Sequence, residues 1–227
     1  MTENLLLWDI DGTLITTGQA SETAIGQATE YAFGIKSDLS KVDFHGRTDT
    51  WVGIELLKQL NLAATPEHIH RFHEAYLDCL KKQLPLHPGK VLPGIVAILE
   101  QAAKRRDCVN ALLTGNLERG AKLKLSHYSI WHYFEFGAFA DDSHIRNELG
   151  PVALKRALAR TGHDFSPDRV YVIGDTPHDI TCGKIIGAKT ISVATGNYTK
   201  AELLACEPYA CFDDFSHPEK FFELLRP

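Results

Sequence analysis

The sequence lacks the features that mark disulfide-rich, zinc-binding or membrane-spanning proteins. Its five cysteines are scattered, and no pair has the CxxC spacing of a zinc or redox site. No apolar run approaches the roughly 20 residues that a membrane-spanning helix needs. The amino-terminal apolar run is too short for a signal peptide and has no basic residues before it. We therefore expect a cytoplasmic protein with reduced thiols.

A large excess of basic charge is also absent. The chain has 24 lysines and arginines against 29 aspartates and glutamates, so its formal net charge is -5. A protein that coats nucleic acid or an anionic membrane needs a basic surface, and we expect neither as a partner. A small anionic ligand is still compatible, because the local field at a site matters more than net charge.

Nearly continuous apolar runs predict buried strands of a parallel sheet that is covered on both faces. The clearest runs are at residues 5–10, 109–114, 170–173 and 190–194, with weaker candidates at 136–139 and 210–212. Helical patterns lie between them at residues 93–104, 117–125, 151–160 and 177–186. This alternation predicts an open α/β sheet.

The segment 15–87 has a different pattern. It has no convincing strand, and its apolar residues recur at helical spacing, as in Ile69, Phe72, Tyr76 and Leu80. We predict a helical domain over residues 15–87, inserted into a core domain made of residues 1–14 and 88–227.

Polar clusters follow three of the predicted strands. They are Asp9-Ile-Asp11-Gly12-Thr13, Thr114-Gly115-Asn116 and Gly174-Asp175-Thr-Pro-His-Asp179. Each cluster alone is explained by ordinary turn or helix-capping chemistry. Ligands of open α/β sheets bind beyond the carboxyl ends of the strands, so we expect all three clusters to converge on one site.

The carboxylates in these clusters indicate a metal. Asp9 and Asp11 can face one ligand from an extended strand, and Asp175 and Asp179 share a face if a helix begins near Pro177. So many carboxylates repel one another unless a cation neutralises them. With no histidine or cysteine among them, a hard ion such as Mg²⁺ is favoured over zinc. Backbone N–H groups at these turns are suited to phosphate oxygens.

The order of these motifs resembles that of the haloacid dehalogenase superfamily, in its phosphatase branch. Asp9-x-Asp11-Gly12-Thr13 matches the first motif, Thr114 the second, and Gly174-Asp175-x-x-x-Asp179 the fourth. The resemblance covers nearly the whole chain. It implies a Rossmann-like parallel sheet core with helices on both faces and an inserted α-helical cap, as in phosphoglycolate phosphatases.

The resemblance also implies an activity, namely magnesium-dependent hydrolysis of a small phosphate monoester such as phosphoglycolate. In that reaction Asp9 would attack phosphorus, and Asp11 would act first as acid and then as base. The other implied site residues are Thr114, Gly12, Thr13, Gly115 and Asn116 at the phosphate, and Asp9, the Asp11 carbonyl, Asp175 and Asp179 at Mg²⁺. The expected partner is a small phosphorylated metabolite, and either a monomer or a homodimer is compatible.

The third motif departs from the family pattern, which has a lysine at the start of the helix before the fourth strand. Arg146 precedes the predicted helix here and is favoured, because a guanidinium can pair with both a phosphoryl group and a carboxylate. Lys155 is the alternative, but it lies about two turns into the helix. In the predicted cap, residues 45–49 resemble a segment that faces the active site. There Arg47 either meets an anionic end of the substrate or is a surface charge.

The same residues bear on which other activities the protein could have. A dehalogenase or phosphonatase is disfavoured, because those branches usually lack an acid at the position of Asp11. A phosphomutase keeps both Asp9 and Asp11 and stays open as an alternative. A non-catalytic phosphate-binding module is less favoured, because the expected catalytic positions are filled.

Overall fold

The computed structural model describes residues 3–225 of the chain. Its strands are β1 (Asn4–Trp8), β2 (Ile15–Thr16), β3 (Lys90–Val91), β4 (Cys108–Leu113), β5 (Gly137–Ala138), β6 (Val170–Gly174), β7 (Lys189–Val193) and β8 (Ala210–Phe212). Its α-helices are α1 (Ala20–Phe33), α2 (Asp49–Gln59), α3 (Pro66–Gln83), α4 (Ile95–Lys104), α5 (Glu118–His127), α6 (Leu149–Thr161), α7 (Pro177–Ile185), α8 (Lys200–Ala205) and α9 (Pro218–Glu223).

Six of these strands form one parallel sheet in the order β5-β4-β1-β6-β7-β8. Alternate residues of the central strand β1 enter two different apolar cores. Leu6 and Trp8 pack in the core that includes α4 and α9, whereas Leu5 and Leu7 pack in the core that includes α6. Because both faces are covered, the strand is apolar from Leu5 to Trp8. The predicted α/β fold with helices on both faces is confirmed.

Strand register places the ends of β1, β4 and β6 side by side. Trp8 is paired with Leu112 of β4 and with Ile173 of β6. The backbone N–H of Asp9 then donates to the Ile173 carbonyl at 2.9 Å, so the chain beyond Trp8 is held beside β6. The loops that follow these three strands therefore begin at one level of the same sheet edge, as the polar clusters predicted.

The helices α1, α2 and α3 form a helical insert between β2 and β3. Their inner faces make a separate apolar core, in which Ile25, Leu56 and Phe72 are buried. The chain leaves and re-enters the sheet domain through the antiparallel pair β2 and β3. The prediction of no strand in 15–87 was wrong at its first two residues, because two residues are too few to show a periodic pattern. The domain division at 15–87 stays a prediction.

Several predicted boundaries shift in the structure. Pro151 is not the first residue of its helix, since α6 begins at Leu149 after a 3₁₀ turn at Arg146–Glu148. Pro93 likewise lies two residues before α4, whereas Pro177 does begin α7. The short helices α8 and α9 have six residues each, below the length at which periodicity is informative. No helix within residues 3–225 is long and apolar enough to cross a bilayer.

Packing of α4 on the sheet gives a prediction with a matched control. Leu99 on α4 is fully buried, whereas Leu158 on α6 is 46% exposed. We expect Leu99→Ala to lower the free energy of unfolding by about 2–5 kcal/mol, because it leaves a cavity in the core. The same change at Leu158 should cost less than about 0.5 kcal/mol. Urea denaturation followed by circular dichroism measures both, and equal losses would contradict the packing described here.

Candidate active site

A cavity of about 250 Å³ lies at this sheet edge, between the strand ends and the helical insert. Its volume is just below the range of roughly 300–1,000 Å³ that is typical of sites for drug-sized ligands, so it suits a small metabolite. The sheet domain lines it with Asp9, Asp11, Gly12, Gly115, Asn116, Lys124, Arg146 and Asp175, among others. The insert and its flanking segments line it with Thr17, Ser21, Glu22, Arg47, Asp49 and Tyr76, among others.

Three buried carboxylates meet beside this cavity, and two of them, Asp9 and Asp175, line it. One oxygen each from Asp9, Asp175 and Asp179 lies within 4.8 Å of the others. Burial raises the pKa of Asp9 to about 6, against the opposing effect of Arg146, and burial beside Asp9 raises the pKa of Asp175 well above its ordinary value. The ionised cluster is therefore unfavourable without further positive charge. Its oxygen-only donor set is suited to a hard divalent cation such as Mg²⁺.

Two glycines leave the space that the Asp175 side chain occupies. Gly12 has a φ of +81°, and a Cβ atom built there or at Gly196 would overlap the Asp175 carboxylate. The Thr13 hydroxyl donates to Asp175 Oδ1 at 3.1 Å, and Thr195 donates to the Gly12 carbonyl at 2.6 Å. Gly12 thus serves the site by allowing the backbone to approach a carboxylate closely.

Asp179 takes part in a helix cap as well as in the carboxylate cluster. Its Oδ2 accepts from the backbone N–H of Thr176 at 3.0 Å, and its own backbone N–H donates to the Thr176 hydroxyl at 3.4 Å, which forms a capping box at the start of α7. The Thr176 hydroxyl also donates to Asp179 Oδ2 at 2.7 Å. Asp179 Oδ1 is ion-paired with Arg146. The capping box of α7 fixes one edge of the Asp179 carboxylate, and the other edge faces the carboxylate cluster.

Arg146 brings positive charge to the carboxylate cluster. It lies in the 3₁₀ turn before α6, is buried, and places Nη2 3.2 Å from Asp9 Oδ1 as well as against Asp179. Lys155 is exposed on α6. Of the two candidates for the third motif, the structure brings only Arg146 to the carboxylates.

The loop after β4 presents Asn116 to Asp11. Asn116 Nδ2 donates to Asp11 Oδ2 and to the Thr114 hydroxyl, each at 2.9 Å. Thr114 is fully buried, and its hydroxyl also accepts from the backbone N–H of Asn116 at 3.3 Å. In this structure the Thr114 hydroxyl supports Asn116, and its predicted contact with a phosphoryl oxygen stays a prediction.

Lys124 on α5 was missed by sequence reasoning. Its side chain is 2% exposed, and its Nζ donates to Asp11 Oδ2 at 2.7 Å and to Asn116 Oδ1 at 2.6 Å. Burial alone would lower the pKa of Lys124, but Asp11 and its other neighbours outweigh that effect and raise it. The sequence feature that could have revealed Lys124 is its helical spacing, because it lies on the same face of the helix as the buried residues Leu117 and Ala121.

The segment 45–49 is packed directly on the loop after β4. The backbone N–H of Asp49 donates to the Gly115 carbonyl at 2.7 Å, and a Cβ atom at Gly115 would overlap the Arg47 carbonyl. Arg47 lines the cavity, with its guanidinium carbon 4.7 Å from the centre of the Trp51 ring. Arg47 is thus placed on the cavity wall, and its contact with an anionic end of the substrate stays a prediction.

The chain is similar to known hydrolases over most of its length. It matches the family model described as haloacid dehalogenase-like hydrolase over residues 6–184. It is 30% identical over 219 residues to the probable phosphatase IndB of Dickeya dadantii, which covers 93% of this chain and 90% of that protein. It is 25% identical over 202 residues to the phosphoglycolate phosphatase of Aquifex aeolicus, which covers 86% of each.

Solved structures show the same fold. A hydrolase from Pseudomonas syringae superposes with a TM-score of 0.74 at 20% identity, covering 99% of this chain and 100% of that one. The family match and the phosphatase relatives support the predicted phosphoric monoester hydrolase. With the carboxylate cluster at the expected sheet edge, the chain belongs to the haloacid dehalogenase-like hydrolase family.

Proposed function

We propose that this hydrolase is a magnesium-dependent phosphatase that cleaves a small phosphate monoester through an aspartyl-phosphate on Asp9. The observation that carries the proposal is the meeting of three buried carboxylates and a buried arginine beside one small cavity, which Asp9, Asp175 and Arg146 line. Asp9 is the member of this cluster that lines the cavity while also touching Arg146. It is therefore the carboxylate best placed to reach a bound phosphoryl group.

In the proposed reaction an Asp9 oxygen bonds to phosphorus as the bond from phosphorus to the ester oxygen breaks. Arg146 beside Asp9 balances negative charge on the phosphoryl oxygens. Asp9, Asp175 and Asp179, together with the Asp11 carbonyl, would hold Mg²⁺, which when bound offsets charge on an already anionic substrate.

Asp11 is proposed to act as the general acid and then as the general base. It donates a proton to the departing ester oxygen, then accepts one from the water that hydrolyses the aspartyl-phosphate. Lys124 and Asn116 both donate to Asp11 Oδ2, so one edge of this carboxyl group is fixed while the residue lines the cavity. These two side chains are therefore positioning residues for the proposed acid and base.

Within the class of small phosphate monoesters, the candidate from sequence is phosphoglycolate. The relative from Aquifex aeolicus is named for that substrate, the cavity is of suitable size, and Arg47 on its wall can pair with a carboxylate. Phosphoglycolate therefore belongs in any panel of test substrates, together with neutral and aminated esters.

The test of the proposed function is phosphate release from such a panel with Mg²⁺, with chelator, and in the Asp9→Asn variant. We expect release that requires Mg²⁺ and falls to background in Asp9→Asn, because an amide cannot form the aspartyl-phosphate. Asp164→Asn, at an exposed position, is the matched control and should be fully active. Undiminished release by Asp9→Asn would exclude this mechanism. Consumption of a sugar bisphosphate without net phosphate release would indicate a phosphomutase instead.

Glutamine substitutions at Arg146 and Lys155 test which of these residues fills the role of the third motif. Arg146→Gln should lower kcat/KM by about 10²–10³-fold, because it removes the positive charge beside Asp9. Lys155→Gln should leave kcat/KM unchanged, since this side chain is exposed. Circular dichroism must show that both variants are folded. A larger loss in Lys155→Gln than in Arg146→Gln would reverse the assignment.

Gly12→Ala tests how the carboxylate cluster is positioned. Gly34 at the end of α1 is the control, since its φ is also positive at +72° but a Cβ atom there has nothing within 4 Å. Both alanine variants bear a similar backbone cost of roughly 1–2 kcal/mol. Only Gly12→Ala displaces Asp175, so we expect it alone to need a higher Mg²⁺ concentration for half-maximal activity. Equal Mg²⁺ dependence in the two variants would show that the overlap is relieved elsewhere.

A further inference from the structure

Two polar side chains of the helical insert face the cavity opposite the strand ends. Glu22 lies on α1 and Tyr76 on α3, and both line the cavity. Neither belongs to the motifs that identify the family, and neither has a part in the proposed phosphoryl transfer. The charges of Asp49, Lys124 and Asp11, which also line the cavity, act on the Tyr76 hydroxyl.

These side chains have polar atoms without partners. Tyr76 is 1% exposed, and its hydroxyl makes no hydrogen bond to any of residues 3–225. Glu22 Oε2 is buried and is also without a hydrogen bond in the described part of the chain. Buried polar atoms in proteins are nearly always satisfied, so an unmet donor and an unmet acceptor on one cavity wall point to a ligand group.

The chemistry of the pair selects a hydroxyl. An ionised glutamate only accepts hydrogen bonds, whereas burial raises the pKa of Tyr76, which keeps its phenol protonated and able to donate. A ligand hydroxyl can donate to Glu22 and accept from Tyr76 at once. A carboxylate can pair with Arg47 on the same cavity wall, but it cannot donate to Glu22 and leaves that oxygen unmet. An ammonium group can donate to Glu22 but cannot accept from Tyr76.

Asp11 fixes which part of the substrate this hydroxyl belongs to. As the proposed acid, Asp11 lies next to the ester oxygen that departs, and its charge acts on the Tyr76 hydroxyl in the wall of the same cavity. We propose that Glu22 and Tyr76 form a subsite for a hydroxyl of the departing alcohol. The preferred substrates are then phosphate esters of small, neutral, hydroxylated compounds, ranked above phosphoglycolate. This inference rests on the proposed function.

Four phosphate esters of similar size test the subsite. Glycerol 1-phosphate carries hydroxyls, phosphoglycolate a carboxylate, phosphoethanolamine an ammonium group, and propyl phosphate none of these. We expect kcat/KM to be highest for glycerol 1-phosphate, by about 10- to 100-fold over propyl phosphate, because a site built for a hydroxyl rejects an analogue that lacks it. A wild-type preference for phosphoglycolate or phosphoethanolamine would overturn the proposal.

Variants of the pair separate recognition from folding. Tyr76→Phe should lose the preference for glycerol 1-phosphate over propyl phosphate while retaining activity on propyl phosphate. Glu22→Gln should raise kcat/KM for phosphoglycolate relative to propyl phosphate. Tyr31→Phe and Glu30→Gln, at exposed positions of α1, are the matched controls and should behave as the wild type. An equal loss on every ester in both variants would mean a structural role and overturn the proposal.

Binding distinguishes failure of this inference from failure of the proposed function. Calorimetry with Asp9→Asn and Mg²⁺ compares the affinity of glycerol 1-phosphate with that of propyl phosphate. Tighter binding of glycerol 1-phosphate, lost when Tyr76→Phe is added, supports the subsite even if the wild type hydrolyses no ester. Equal affinity for the two esters overturns the subsite even if the wild type is an active phosphatase.

Discussion

Mutual repulsion of buried carboxylates is the constraint on which the rest of this structure depends. Asp9, Asp175 and Asp179 meet within 4.8 Å, and burial raises the pKa of Asp9 to about 6. Parallel strands hold the first two side chains at one level, and a capping box fixes the third. Arg146 supplies positive charge from the turn before α6. The proposed Mg²⁺ would complete the balance and, together with Arg146, would place positive charge where a phosphoryl group would bind.

The helical insert contributes to the cavity in a different way. Its connecting segment is fixed on the loop after β4, where Asp49 donates to Gly115. That contact brings Arg47 to the cavity wall, while α1 and α3 bring Glu22 and Tyr76. In the proposed function, residues of the sheet domain would surround the reacting atoms, and residues of the insert would surround the rest of a substrate. Specificity would then depend on a part of the chain that carries few of the family motifs.

The sequence predicted the fold class and most strands because a sheet covered on both faces needs continuous apolar runs. It also predicted that Asp9, Asp11 and Asp175 would converge, since residues at the ends of parallel strands share one edge. Lys124 was not predicted because a lysine within a helix usually lies on the surface, and only tertiary packing buries this one against Asp11. Glu22 and Tyr76 were missed as site residues for a related reason. Their place in one cavity wall depends on the packing of α1 on α3, which no local motif records.

The central claim is covalent catalysis at Asp9, and trapping the intermediate tests it most directly. The enzyme would be mixed with Mg²⁺ and a hydrolysed ester, quenched in acid during steady turnover, and digested for mass spectrometry. We predict that the peptide containing Asp9 gains the mass of one phosphoryl group, which borohydride then removes by reduction of the acyl phosphate. A phosphoryl group on another residue, or steady phosphate release with no trapped phosphoprotein under these conditions, would contradict the account.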